Sequence, residues 1–144
     1  ALAYDDGLLK LEDPVLKYFP EFEADANEYL RACTIRNMIT MRNGQQRSIG
    51  GNEWRPLKTS WKEAYFRVPF DKKPGETYMY SSGNSYILSY IVQKLEGKTC
   101  RELVQERVGK EIGVDVEPGR RLLRWKRCLP DDRRYAADRA SLSQ

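Results

Sequence analysis

Residues 74–97 read PGETYMYSSGNSYILSYIVQKLEG and carry the strongest structural pattern in the chain. From Asn84 to Glu96, apolar side chains recur at the i, i+1, i+4, i+5 and i+8 spacing expected for one face of a helix. Gly97 is the kind of residue that commonly ends a helix. The stretch therefore predicts an amphipathic helix entered from a hydroxyl-rich turn, with an apolar stripe made of Ile87, Leu88, Ile91, Val92 and Leu95.

The turn at the start of this helix is a candidate site for chemistry. Backbone N–H groups at a helix N-terminus have no partners within the helix and attract negative charge. A tyrosine beside such groups can act as a general base, and Tyr80 has this position. The chain contains no histidine, so a base working near neutral pH has to be a tyrosine, lysine, aspartate or glutamate. Tyr80 is therefore one candidate for such a base.

Length and composition bound the class of protein. With 144 residues, 40% hydrophobic and 11% aromatic, the chain can bury the core of one domain. No apolar run approaches the length of a membrane span, and no secretory signal is visible. The sequence begins at Ala1 without a methionine, and residues 1–6 resemble the end of a helix closed by Gly7. We therefore expect that the start of the domain is missing.

Charge divides the chain into two parts. The net charge is +4, but residues 119–144 alone hold eight basic and three acidic side chains. The sequence predicts a partial domain over residues 1–114 and a basic, disordered or aberrant tail over residues 115–144. Such a tail could bind nucleic acid by electrostatic attraction, but it lacks a recognised nucleic-acid-binding motif, so this partner is disfavoured.

The cysteines indicate neither a metal site nor a reactive thiol. Cys33, Cys100 and Cys128 are odd in number, lie far apart and lack the spacing of a zinc site. Without a histidine to activate them, Cys33 and Cys100 are interpreted as packing residues. The sequence predicts no metal and no cofactor, and the unpaired thiols favour a reducing, cytoplasmic location.

The predicted elements are mostly helical. Helices are expected after Asp13-Pro14, from Thr34 to Arg42, over Trp61–Arg67, over Asn84–Glu96 and after Thr99. The sequence holds too few strand patterns for a sheet of its own. It fits a mainly α domain, either standing alone or docking as a helical lobe on a sheet found elsewhere.

Three blocks resemble a known family. They are residues 7–22 (GLLKLEDPVLKYFPEF), residues 34–44 (TIRNMITMRNG) and residues 74–97. Their order and spacing resemble the serine hydrolases of the penicillin-binding-protein and class C β-lactamase superfamily, which includes esterases, D-amino-acid peptidases and nylon-oligomer hydrolases. The resemblance implies the helical lobe of an α/β β-lactamase-like (DD-peptidase) fold with the sheet largely missing.

The same resemblance implies an active site of three motifs. Family members combine a Ser-x-x-Lys helix, a Tyr-x-Asn loop and a Lys-Thr-Gly or His-Thr-Gly strand, and they cleave ester, amide or lactam bonds through an acyl-serine. Tyr80 matches the family's tyrosine base. Ser82 stands where the family has its substrate-orienting asparagine, and Asn84 is a candidate to compensate. Lys98-Thr99-Cys100 resembles the strand motif only superficially, because it lies between two predicted helices.

No serine in the chain is followed three residues later by lysine. By resemblance, that helix is expected just before Ala1, and the chain alone is expected to be inactive. Two alternatives stay open: a non-catalytic helical module that binds a partner, and a small nucleic-acid-binding protein acting through its tail. Tyr78, Tyr86 and Tyr90 are interpreted as core residues.

Overall fold

The computed structural model describes residues 2–54, 56 and 60–115. Eight α-helices lie in these residues: α1 Leu2–Asp5, α2 Glu28–Ala32, α3 Ile35–Ile39, α4 Gly51–Trp54, α5 Trp61–Phe66, α6 Ser82–Glu96, α7 Cys100–Val104 and α8 Lys110–Ile112. Short 3-10 helices span Val15–Tyr18 and Pro20–Phe22, and a π-helical turn, Gln105–Gly109, joins α7 to α8. The described part of the chain contains no strand beyond two isolated bridges, Pro14–Thr34 and Gln45–Phe70. The mainly α architecture predicted from the sequence is confirmed.

Helix α6 is the longest element and forms the centre of the fold. Its 15 residues end at Glu96, and the next residue, Gly97, has a φ of 65° and closes the helix in the left-handed conformation that glycine adopts without strain. The buried face of α6 includes Tyr86, Ile87, Tyr90 and Ile91. Of the predicted apolar stripe, Ile87 and Ile91 are buried, and Leu88, Val92 and Leu95 are partly buried against the core. The helix begins two residues earlier than predicted, at Ser82.

The shorter helices depend on side-chain caps. Thr34 accepts a hydrogen bond from the Asn37 backbone N–H while the Asn37 side chain accepts one from the Thr34 N–H, a reciprocal cap at the start of α3. Thr99 and Glu102 form the same arrangement at the start of α7, as the sequence predicts. Helix α3 packs against α6. These caps matter because helices of five residues are marginal in water without tertiary contacts.

One hydrophobic core joins these elements. Its centre lies between α3, α5 and α6, and tilted aromatic pairs such as Phe19–Tyr90 and Trp61–Tyr86 link the surrounding segments. The largest apolar side chains with almost no exposure are Tyr65, Tyr86, Phe19, Ile35, Met38, Ile87, Ile91 and Val15.

The structure corrects two sequence predictions and leaves a third aside. Tyr78 was expected in the core, but its side chain is 61% exposed, whereas Tyr86 and Tyr90 are buried as predicted. Neither α2 nor α4 is among the helices expected from the sequence. The predicted tail, residues 115–144, lies outside the described residues except for Asp115.

Among the helices described, none is both long and apolar enough to cross a membrane.

Candidate active site

Tyr80 lies at the end of the segment that leads into α6. Its side chain is 64% exposed, and it makes no hydrogen bond within the part of the chain that the structure describes. The next residue, Ser81, is the N-cap residue of α6 and is fully buried, with its carbonyl accepting from the Asn84 N–H at 3.1 Å. Ser82 is the first helical residue and is half-buried. The phenol of Tyr80 is thus exposed to solvent, whereas the next residue, Ser81, is buried in the protein.

Backbone hydrogen bonds to the end of α3 hold the segment before Tyr80. The Met79 N–H donates to the Met41 carbonyl at 2.8 Å. Further back, the Gly75 N–H donates to the Arg42 carbonyl at 2.8 Å, and the Arg42 guanidinium donates to the Gly75 carbonyl at 3.2 Å. These hydrogen bonds anchor Met79, which lies between the two exposed tyrosines, Tyr78 and Tyr80.

A buried polar cluster lies beneath the first turn of α6. Asn84 donates from Nδ2 to the Met38 carbonyl at 3.2 Å and accepts at Oδ1 from the Tyr65 hydroxyl at 2.8 Å. Asn43 Nδ2 lies 3.0 Å from Asn84 Oδ1 and 2.8 Å from Tyr65 Oη. Gln45 completes the cluster by accepting from Asn43 and by donating to the Tyr65 carbonyl at 2.9 Å. Buried amides are stable only when paired in this way.

The cluster is structural rather than titrating at neutral pH. Burial raises the pKa of the Tyr65 phenol well above its usual value, so this hydroxyl stays protonated and can donate to Asn84. The same cluster excludes one role suggested by the sequence. Because Ser82 stands where the family has an asparagine, Asn84 was a candidate for the role of that asparagine. Its side chain, however, is fully buried and forms hydrogen bonds with Met38 and Tyr65. It cannot reach a substrate outside the helix.

The remaining candidates have simple structural roles. Thr99 caps α7, and Lys98 forms an exposed ion pair with Glu106, so Lys98-Thr99-Cys100 is not a strand motif. Cys33 is buried in the core, and burial raises the pKa of its thiol to about 12, which fits the predicted packing role. No grouping of histidine, cysteine, aspartate and glutamate that could hold a metal occurs among the residues described.

The sequence predicts roles for Tyr80 and Ser82 but none for the buried residues beneath them. Asn43 follows the expected helix that ends at Arg42, and Tyr65 lies within the expected helix Trp61–Arg67. No local signal marks Asn43 and Gln45, which lie in the polar stretch TMRNGQQRS over residues 40–48. The pairing itself spans 41 residues between Asn43 and Asn84, and local patterns cannot show it.

Comparison with solved structures defines the class of fold. The chain is similar to the crystal structure of FmtA from Staphylococcus aureus, with a TM-score of 0.59 and 18% identity over 77% of this chain and 30% of that one. It is also similar to the octameric penicillin-binding protein homologue from Pyrococcus abyssi, with a TM-score of 0.57 and 20% identity over 77% of this chain and 27% of that one. These matches show the penicillin-binding-protein and β-lactamase fold, in agreement with a partial helical lobe.

The family follows from the sequence. The model of the β-lactamase family matches residues 1–137, so the chain belongs to the β-lactamase family. It is 22% identical to an Escherichia coli K12 protein named as a D-alanyl-D-alanine carboxypeptidase, over 76% of this chain and 27% of that protein. It is 20% identical to the teichoic acid D-alanine hydrolase of Staphylococcus aureus, over 75% of this chain and 26% of that protein. The chain thus spans about a quarter of the length of these curated relatives.

Proposed function

We propose that this chain provides the tyrosine-bearing helical part of a serine hydrolase, with Tyr80 as the general base and Ser82 as a substrate-orienting group. The observation that carries the proposal is the placement of Tyr80. Its phenol is exposed directly before the N-terminus of a 15-residue helix, on a segment that hydrogen bonds fix to the end of α3. Membership of the β-lactamase family supports a role for this tyrosine in hydrolysis.

The proposed reaction is acyl transfer. A serine oxygen attacks the carbonyl carbon of an ester, amide or lactam while the tyrosine takes the serine proton, and the proton then passes to the leaving oxygen or nitrogen. Water then hydrolyses the acyl-serine and regenerates the hydroxyl. Because two curated relatives are named for the removal of D-alanine, D-alanyl esters and amides are the first substrates to test.

Ser82 is proposed to orient the substrate with its hydroxyl. It is the first residue of α6 and is half-buried, close in the chain to Tyr80. A hydroxyl can donate and accept a hydrogen bond, but it reaches less far than the amide of asparagine. We therefore expect Ser82 to contact the substrate more weakly than an asparagine would.

By itself, the chain is proposed to be inactive. Its 144 residues contain no Ser-x-x-Lys sequence, and an exposed tyrosine base without that nucleophile cannot form an acyl-serine. The purified chain should therefore release no product from a chromogenic D-alanyl ester or a chromogenic cephalosporin. Turnover that Tyr80→Phe removes would overturn the proposed inactivity while supporting the role of Tyr80.

The role of Tyr80 is tested in a complete active site. Residues 74–97 of this chain replace the aligned segment of the S. aureus D-alanine hydrolase, and hydrolysis of a D-alanyl ester by this chimaera is measured. Removing a general base should lower kcat by about 10²–10⁴ in the Tyr80→Phe chimaera. Tyr78→Phe is the matched control, since Tyr78 is equally exposed on the same segment, and it should leave kcat within about twofold of the parent chimaera. Equal activity of the two variants would contradict the proposal.

A further inference from the structure

We propose that Asn84 is a positioning residue for Tyr80: by tying the first turn of α6 to the end of α3, its side chain fixes where the phenol lies. This inference rests on the proposed function of Tyr80 as the base. Asn84 itself is fully buried and touches no substrate, so it would act only through the backbone that carries Tyr80.

Hydrogen bonds on both sides of Tyr80 reach the same helix end. One residue before it, the Met79 N–H donates to the Met41 carbonyl at 2.8 Å. Four residues after it, Asn84 Nδ2 donates to the Met38 carbonyl at 3.2 Å. Both acceptors belong to the last turn of α3 or the residues just after it. A segment held at both ends against one rigid element has little freedom to displace the residue between the two anchors.

The second anchor depends on the amide group of Asn84. Its Nδ2 supplies the donor to Met38, while its Oδ1 accepts from Tyr65 at 2.8 Å and lies 3.0 Å from Asn43 Nδ2. No other side chain of similar size has a donor and an acceptor placed like this. Gly83, the residue before Asn84, allows the close approach, because a Cβ there would lie 2.7 Å from the Tyr65 ring. The first turn of α6 therefore sits in direct contact with Tyr65 and close to α3.

Substitution of Gln45 distinguishes a positioning role of Asn84 from a contribution to the stability of the fold alone. It belongs to the same buried cluster, bonding Asn43 and the Tyr65 carbonyl, but it makes no described bond to α6. Gln45→Ala should destabilise the fold by leaving buried groups unpaired, as Asn84→Ala should. Only the Asn84 variant removes the bond between α6 and Met38. A purely structural role for Asn84 predicts the same response from both variants.

The experiment uses the full 144-residue chain labelled with ¹³Cζ-tyrosine, in which the Tyr80 signal is assigned by its loss in Tyr80→Phe. Hydrogen exchange of the Met79 amide is measured on the same samples. In Asn84→Ala we expect a shifted or broadened Tyr80 signal and an increase in Met79 exchange of about tenfold, the effect of losing one buried anchor. In Gln45→Ala both should match the wild type once the measured loss of global stability is accounted for.

Two results would overturn the inference: unchanged Tyr80 and Met79 signals in Asn84→Ala, or equal changes in Gln45→Ala. If Asn84→Ala does not fold, the similarly shaped Asn84→Leu is tested against the same criteria, since it fills the space of the amide and removes the donor to Met38. Failure of the proposed function is distinguishable. In that case Tyr80→Phe leaves the chimaeric enzyme active, whatever the Tyr80 signal shows in the isolated chain.

Discussion

The backbone N–H of Met79 donates to the carbonyl of Met41 across 2.8 Å, and Met41 holds a left-handed φ of 58°. Among the residues described, Met41 alone has a positive φ without being glycine. This conformation costs roughly 1–2 kcal/mol for an ordinary L-residue. The strain lies where the segment bearing Tyr80 is attached to the end of α3, which links an unfavourable local conformation to the placement of the candidate base.

Met41 provides the first prediction. Met41→Val should lower the free energy of unfolding by about 1–3 kcal/mol, because a β-branched residue strongly disfavours a positive φ. Met41→Asn, the matched variant, should cost less, because asparagine enters the left-handed region more readily. Urea unfolding followed by circular dichroism measures both. A valine variant as stable as the asparagine variant would show that backbone conformation does not govern this position.

Close packing at the start of α6 gives the second prediction. A Cβ at Gly83 would meet the Tyr65 ring at 2.7 and 2.9 Å and the Ile49 side chain at 3.0 Å. Gly83→Ala should therefore destabilise the fold by about 1–3 kcal/mol. At Gly50 a Cβ meets nothing within 4 Å, and Gly50→Ala should be neutral or slightly stabilising. Thermal unfolding of the two variants tests this predicted difference in stability, and similar melting temperatures would contradict the prediction.

The hydroxyl of Tyr65 gives the third prediction. Tyr65→Phe keeps the ring in the core but leaves Asn84 Oδ1 without its donor at 2.8 Å, and Asn43 without an acceptor at 2.8 Å. Leaving buried polar groups with fewer partners should cost about 1–3 kcal/mol. The control is Tyr4→Phe, which removes a hydroxyl from a half-exposed side chain and should change stability by no more than about 0.5 kcal/mol. Denaturant midpoints that agree for the two variants would count against the role of the cluster.

Acid sensitivity is predicted at Asp13. The Tyr18 hydroxyl at 2.7 Å, the Lys10 N–H and Lys17 lower the pKa of this carboxyl to about 2. Because the folded pKa lies below the unfolded value of about 3.9, the carboxylate contributes stability above pH 4, and this contribution is lost as the pH falls toward 2.

The measurement is the urea midpoint from pH 6 to pH 2. Asp13→Asn should be less stable than the wild type at pH 6, and the difference should shrink as the solution approaches pH 2. Asp25→Asn, at an exposed carboxylate before α2, serves as the control and should follow the wild-type profile. A constant difference between Asp13→Asn and the wild type over the whole range would refute the prediction.

Thiol accessibility gives the last prediction. Cys33 is fully buried, and burial raises its pKa to about 12, so almost no thiolate is present near neutral pH. We expect iodoacetamide to modify Cys33 only after unfolding, as peptide mass mapping would show. Cys100, which is half-buried, should react sooner in the native protein. Prompt native modification of Cys33 would mean that this part of the core opens readily.

Much of the fold could be predicted from local patterns. The apolar stripe of α6, its end at Gly97 and the cap formed by Thr99 and Glu102 depend on residues within a few positions of one another. The absence of histidine and the match of Tyr80 to a family motif were equally visible. These features follow from composition and helical spacing, which tertiary structure does not alter.

Other features depend on tertiary contacts between residues that are far apart in the sequence. Asn84 was a candidate to compensate for Ser82, yet it is buried against Met38 and Tyr65, which lie 46 and 19 residues away in the sequence. Tyr78 was expected in the core, yet it is exposed, since the pairing of Met79 with Met41 fixes how this segment lies against the end of α3. By itself, the sequence determined α6, its end at Gly97 and the cap of α7, because those properties depend on neighbouring residues. Only the tertiary structure decided which polar side chains are buried and which face solvent, because burial depends on what distant segments pack against them.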